Sequence, residues 1–180
     1  MANVKQAIDF VLRQEDSTLS GKITNIPGDQ GGTTRFGLTA KWHPELVAQG
    51  FFDAYTPAIR ALPMAESAYE TQYAAKLYLA DIQSQAIATA LLSFAVLEGP
   101  QRPVQLLQAA LDTCGASIAP DGCMGQQTLN AVNDAPQDAL LDAWLKQEEA
   151  YFASLVQHDP SQQKFLLGWD NRAEALKGIA

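Results

Sequence analysis

With 180 residues, 47% of them hydrophobic and 18% charged, the chain is long enough for one good core or two small lobes sharing an interface, which excludes disorder as its ground state. The 12 basic against 20 acidic residues give a formal net charge of -8 with no Lys/Arg cluster, which excludes nucleic acid as a partner and gives no long-range steering toward anionic polymers. The start, MANVKQAIDFVLRQ, lacks the basic-then-apolar order of a secretory signal, and no window reaches the about 18 to 20 apolar residues of a membrane span.

Taken in chain order, Val4, Ile8, Val11 and Leu12 fall at helical spacing and predict a first helix with one core-facing stripe. Glu15 continues that stripe, so helix geometry points a carboxylate toward the core side at the helix's C-terminal end. Asp16, its neighbour, faces away and reads as solvated. Residues 16–40 lose the helical period, and Gly21, Pro27, Gly28, Gly31, Gly32 and Gly37 punctuate β-compatible pieces such as KITNI and TTRFGLT. A small β-hairpin or three-stranded sheet is expected there.

Pro57 and Pro63 each suit the first turn of a helix, and a helical pattern from Met64 to about Leu79 sets Tyr69, Tyr73 and Leu77 on one face. Aromatic faces pack well against sugar rings, so Tyr69 and Tyr73 are candidates to line a groove; the alternative is that the stripe is core. Gln85 to Glu98 is apolar nearly all round, the mark of a helix surrounded by other elements. Gly99, Pro100 and Pro103 end it and start another over Val104 to Asp112.

Cys114 and Cys123 then flank the loop CGASIAPDGC, whose ends can meet in a disulfide outside the cytosol; two free thiols are the alternative. A short helix from Gly125 to Val132 precedes a long one from about Gln137 to Gln157, with Leu141, Trp144, Leu145, Glu148, Phe152 and Leu155 along one face. The last, from about Gln162, carries Phe165, Trp169, Ala173 and Leu176. His43 and His158 are too far apart in sequence for a zinc pattern and the Asp121 loop lacks spaced oxygen ligands, so no metal or other cofactor is implied. The expected fold is mainly α: a helical bundle with a small β-hairpin or three-stranded sheet near the N-terminus. With no Gly/Ser-rich linker, residues 1–100 and 101–180 read as two lobes of one unit.

A helix ending in a core-facing Glu, then a Gly-, Asp- and Thr-rich β element, then a helical body, resembles the order of the lysozyme superfamily, and the resemblance implies that the mainly α fold is of its α+β lysozyme-like kind. Glycosidic cleavage needs a carboxylic acid that keeps its proton near neutrality and a second polar group on the other face of the sugar. Apolar neighbours and the negative end of the helix dipole both favour the protonated form of Glu15. Asp29, Thr33 and Thr34 supply a carboxylate and hydroxyls for the second role, while Gly31 and Gly32 let the backbone approach a sugar.

Asp29-Gln-Gly31-Gly32-Thr33-Thr34-Arg-Phe-Gly37-Leu-Thr39, following Glu15, resembles the muramidases of glycoside hydrolase family 108, whose D-x-G-G-x-T-x-x-G-[IV]-T stretch follows a helix-ending Glu. SFAVLEGPQRPVQLLQAAL from Ser93, DGCMGQQTL from Asp121 and DPSQQKFLLGWDNRAEAL from Asp159 resemble the peptidoglycan-binding module usually attached to that domain. The chain departs from the family in having Asp16, Ser17 and Thr18 where Gly-Gly-Tyr usually follows the Glu, and Ser93 and Leu97 where Asp and Asn are usual.

The resemblance implies a muramidase acting on peptidoglycan glycan strands, with Glu15 as general acid and Asp29, helped by Thr34, as second group. Its rival is a degenerate muramidase fold that binds peptidoglycan without turnover. Acting in the periplasm or cell wall without an export signal, such an enzyme would be delivered by a holin, an injection machine or a carrier domain, as a phage endolysin or an antibacterial effector. An effector would have an immunity or inhibitor protein as partner.

Overall fold

Asn3 caps the first helix by accepting the Gln6 N–H at 3.1 Å, and α1 runs Val4–Glu15 before Asp16 turns to extended backbone. The computed structural model describes residues 1–25 and 32–179. Strands β1 Thr24–Asn25, β2 Thr33–Arg35 and β3 Leu38–Thr39 form one antiparallel sheet in that order, with Thr24 opposite Thr34 and Arg35 opposite Leu38. Among the described residues, seven α-helices follow: α2 Pro44–Ala48, α3 Ala58–Ala68, α4 Gln85–Glu98, α5 Gln101–Thr113, α6 Gln126–Asp134, α7 Gln137–His158 and α8 Gln163–Lys177. The mainly helical fold with a small sheet near the N-terminus is therefore as the sequence predicts. Among the described residues, no helix is long and apolar enough to cross a membrane.

The apolar character of α4 all round its circumference has a direct cause, since α1, α5, α7 and α8 each pack against it. Phe94 meets Trp144 and Phe152 of α7 at ring-centroid distances of 5.7 and 6.2 Å, and Phe152 stacks on Trp169 of α8 at 4.7 Å. The region between α3 and α4 differs from the expected single helix. The helix begins after Pro57, so Pro63 lies inside α3 rather than in a first turn. At Tyr69–Ala74 the backbone widens into a π-helical turn, and Tyr78, at φ +53°, breaks the path. Such a widened turn is often found beside functional sites because it rotates the side chains it carries.

The expected Cys114–Cys123 disulfide is not formed, and both residues are free thiols. Polar contacts close the loop instead. Gln108 of α5 donates to Asp121 Oδ1 at 2.8 Å and to the Cys123 carbonyl at 3.2 Å, and its Oε1 accepts the Gly122 N–H at 2.9 Å. Asp121 Oδ1 also accepts the Cys123 N–H at 2.8 Å. With its backbone groups satisfied in this way, the turn needs no covalent bond.

One core contact is ionisable. Glu148 of α7 is fully buried, with Trp144 Nε1 donating to its Oε1 at 3.0 Å. Its Oε2 and both carboxyl oxygens of Glu98 of α4 are buried with no donor from other groups. A hydrogen bond between the two carboxyls therefore needs a proton held between them. Burial, opposed by the hydrogen bond from Glu148 and by Arg102, pushes Glu98 up to about 7. Burial and the neighbouring Glu98 push Glu148 up to about 10.

The native state thus keeps protons that the unfolded chain releases above its ordinary carboxyl value of 4.5, so the pair's stabilising effect is complete below that pH. It is lost progressively as pH rises through about 7 toward about 10. A Glu148→Gln variant keeps the acceptor for Trp144 and donates an N–H to Glu98. In thermal melts from pH 5 to pH 8.5 it is expected to flatten the decline of Tm and to melt roughly 2–4 °C higher near pH 7, for about 1 kcal/mol gained. A decline as steep as that of the natural chain would show that the pair is not its source.

Candidate functional site

Glu15, the last residue of α1, lines a groove of about 510 Å³ whose other walls are the loop Asp16, Ser17, Thr18 and Ser20 and the sheet residues Thr24 and Thr34. The loop is shaped by Asp16, which is not simply solvated as its helical position suggests. Its Oδ2 accepts the Gly21 N–H at 2.7 Å and the Ser20 hydroxyl at 3.0 Å, and its Oδ1 accepts the Thr18 hydroxyl at 3.1 Å. Burial would raise this carboxyl, but the hydrogen bonds from Gly21, Ser20 and Thr18 outweigh it and hold Asp16 below its usual value. Asp16 therefore remains an acceptor that ties one wall together.

The opposite wall is built on a strained hairpin tip. Between β2 and β3, Phe36 and Gly37 both have left-handed backbone, with φ of 48° and 76°, as a two-residue turn of this hand requires. For Phe36 this is unfavourable. The turn is retained because the Phe36 ring is buried and the fully buried Tyr69 donates its hydroxyl to the Phe36 carbonyl at 2.6 Å. Gly37 lies so close to Glu15 that a Cβ there would come within 2.5 Å of Glu15 Cγ and 2.7 Å of the Tyr69 hydroxyl oxygen. Beneath the tip, the buried Arg35 guanidinium donates to the carbonyls of Gly21, Phe51 and Thr56 at 2.7 to 2.8 Å, joining the sheet to its surroundings.

The rest of the Glu15 environment comes from the far end of the chain. Arg172 of α8, 8% exposed, donates from Nη2 to Glu15 Oε1 at 2.5 Å and from Nη1 to the Ser93 carbonyl and hydroxyl oxygens at 3.1 Å each. Both side chains of the ion pair are largely covered, at 10% and 21% exposure for Arg172 and Glu15. Arg172 belongs to the WDNR stretch, but its part at the site was not legible from motif order. The signal available was its spacing: three residues after Trp169 and four before Leu176, a cation lies on the apolar stripe of α8 just as Glu15 lies on that of α1.

The other sequence-predicted residues fall in different places. Thr34 lines the groove and donates its hydroxyl to the Gly32 carbonyl at 3.2 Å, which leaves its oxygen an acceptor. Thr33, adjacent in β2, is paired with Asn25 and is not among the groove's lining residues. Gly32 precedes the strand, and Asp29 and Gly31 lie outside the described residues. Tyr69 is no sugar platform: burial first, then the neighbouring Glu15 charge, push its hydroxyl well above its usual range, so it stays a donor to Phe36. Tyr73 is partly buried behind it, its hydroxyl 3.3 Å from His43 Nε2, and is likewise outside the groove lining.

The glycosyl hydrolase 108 pattern matches residues 8–99, about half of the chain and all of the groove walls just described. The chain belongs to the glycosyl hydrolase 108 family. In this glycosyl hydrolase, residues 102–174 also match the family described as a predicted peptidoglycan domain, and Arg172 lies within that second stretch. Among solved structures, that of SagA from Brucella abortus is similar, with a TM-score of 0.73 and 24% sequence identity over 97% of this chain and 91% of that one. The likeness is one of fold. No curated protein matches the chain.

The contact of Gly37 with Glu15 gives a test of the site's construction. In urea unfolding, Gly37→Ala is expected to lose about 1–3 kcal/mol, combining left-handed strain with the clash against Glu15 and Tyr69. Gly115→Ala, at φ +88° in the left-handed turn that ends α5 and with nothing within 4 Å of the added methyl, carries the strain alone and is expected to lose about 1–2 kcal/mol. A smaller loss at Gly37 than at Gly115 would refute the close approach.

Proposed function

We propose that this glycosyl hydrolase is a muramidase cleaving the β-1,4 bond between N-acetylmuramic acid and N-acetylglucosamine in bacterial peptidoglycan. The observation that carries the reading is the placement of Glu15. A helix-terminal carboxyl lies in an open groove, backed by core and facing the strand that bears Thr34. The second matched stretch, of a predicted peptidoglycan domain, supports peptidoglycan as the substrate.

In this reading Glu15 gives its proton to the glycosidic oxygen as the bond to the anomeric carbon breaks, and the leaving sugar departs with a free hydroxyl. A water then supplies the new oxygen at the anomeric carbon and loses a proton. Thr34, whose hydroxyl proton is directed to Gly32, accepts a hydrogen bond from that water or from the sugar. Asp29 is assigned the second carboxylate role, stabilising the cationic centre or activating the water. The walls carry many polar groups, including Ser17, Thr18, Ser20 and Lys22, suited to the hydroxyl and amide groups of amino sugars. Its place of action is the cell wall or periplasm, reached as a phage endolysin or as a secreted effector.

The test is release of reducing ends from purified peptidoglycan. Glu15→Gln is expected to lower the rate about 10²–10⁴-fold while the protein still binds the polymer, and Asp29→Asn to lower it strongly as well. Equal, null rates for natural chain and variants, with binding retained, would leave a peptidoglycan-binding module. Anhydro-muramyl ends in place of reducing ends would make it a lytic transglycosylase.

A further inference from the structure

Arg172 lies 157 residues from Glu15 in sequence, and the interaction between them joins α8 to the end of α1 across the central helix. Its guanidinium is fixed from both sides. Nη1 is held by the two oxygens of Ser93 on the buried α4, and Nη2 points at Glu15 Oε1. Gly37 also confines Glu15, lying so close that a Cβ there would meet Glu15 Cγ at 2.5 Å and Cδ at 2.9 Å. A guanidinium has only N–H donors and no acceptor. When the carboxyl is protonated, the oxygen engaged by Arg172 is therefore the unfavourable place for the proton, which is directed to Oε2.

We infer that Arg172 is the positioning residue for Glu15, fixing its rotamer and directing its proton to the oxygen not engaged by Arg172, so that the stretch matched as a predicted peptidoglycan domain completes the hydrolytic site. This rests on the muramidase reading given above. It gives residues 102–174 a role besides holding the polymer: without α8 in place, the acid has neither its orientation nor its directed proton. Arg172 acts through Glu15 and Ser93 rather than by touching the sugar, so its loss belongs in the chemical step and not in substrate affinity.

The experiment measures reducing-end release from soluble, uncrosslinked glycan strands by the full chain, comparing Arg172→Ala, Arg172→Lys, Glu15→Gln and the Glu15→Gln/Arg172→Ala double variant. Circular dichroism and Tm verify that each is folded. Arg172→Ala is expected to lower kcat about 10–100-fold, with KM within about twofold of the natural chain. Millimolar guanidinium ion should restore part of the loss. Arg172→Lys, a point donor unable to span Ser93 and Glu15 together, should recover less than the forked ion does.

The double variant should be no slower than Glu15→Gln alone, since both changes disable one unit. Full activity of Arg172→Ala beside an inactive Glu15→Gln would overturn the inference and leave the muramidase reading intact. So would a raised KM at unchanged kcat, or a folded Arg172→Ala variant whose lost rate guanidinium does not restore. An inactive natural chain, or a Glu15→Gln variant as fast as it, would instead sink the muramidase reading and this inference with it.

Discussion

Everything near the groove depends on a charge pair that has to be held away from water. Arg172 and Glu15 are both mostly covered, and a covered ion pair is tolerated only when geometry and further hydrogen bonds compensate for lost hydration. The Ser93 carbonyl and hydroxyl supply that compensation on the arginine side. The requirement is structural as well as local, because it can be met only when α8 is seated against α4. The last helix is thereby tied to the last residue of the first, and that residue lines the groove.

A second constraint comes from the hairpin tip. Two consecutive left-handed residues, one of them phenylalanine, are costly, and such backbone persists only where the surroundings over-determine it. Here the Phe36 ring is buried and Tyr69 holds the Phe36 carbonyl, while the missing side chain at Gly37 lets the tip come down onto Glu15. Tyr69 opens the π-helical turn, so the irregular backbone there and the irregular tip are two halves of one contact. Stability is spent on placing a carboxyl rather than on packing alone.

The Glu98–Glu148 contact belongs to the same helix–helix framework but answers to different physics. Burial raises both carboxyls and their outer oxygens meet no donor, so the contact between α4 and α7 grows less favourable as pH rises and the pair ionises. Around the cysteine loop, in contrast, Gln108 satisfies backbone groups and the Asp121 carboxylate, which its hydrogen bonds hold below its usual value, so these contacts do not titrate near neutrality. The two matched family stretches, residues 8–99 and 102–174, are thus joined by an apolar interface and by the Arg172–Glu15 ion pair.

The sequence by itself determined what depends on local spacing. The helical period put Glu15 on the buried stripe of α1, the apolar circumference of residues 85–98 marked the central helix, and the glycine-punctuated region gave the small sheet. Periodicity encodes which face is buried, but not what lies against it. That is why Tyr69 and Tyr73 could be read as a sugar-facing stripe, and why Asp16 could be read as idle when its carboxyl ties a loop. Cys114 and Cys123 were close enough in sequence to suggest a bond, yet polar contacts close their loop. Only the tertiary structure decided that Arg172 is the partner of Glu15, because nothing local in either helix encodes a contact between side chains 157 positions apart; packing of α1 and α8 on the same central helix creates it.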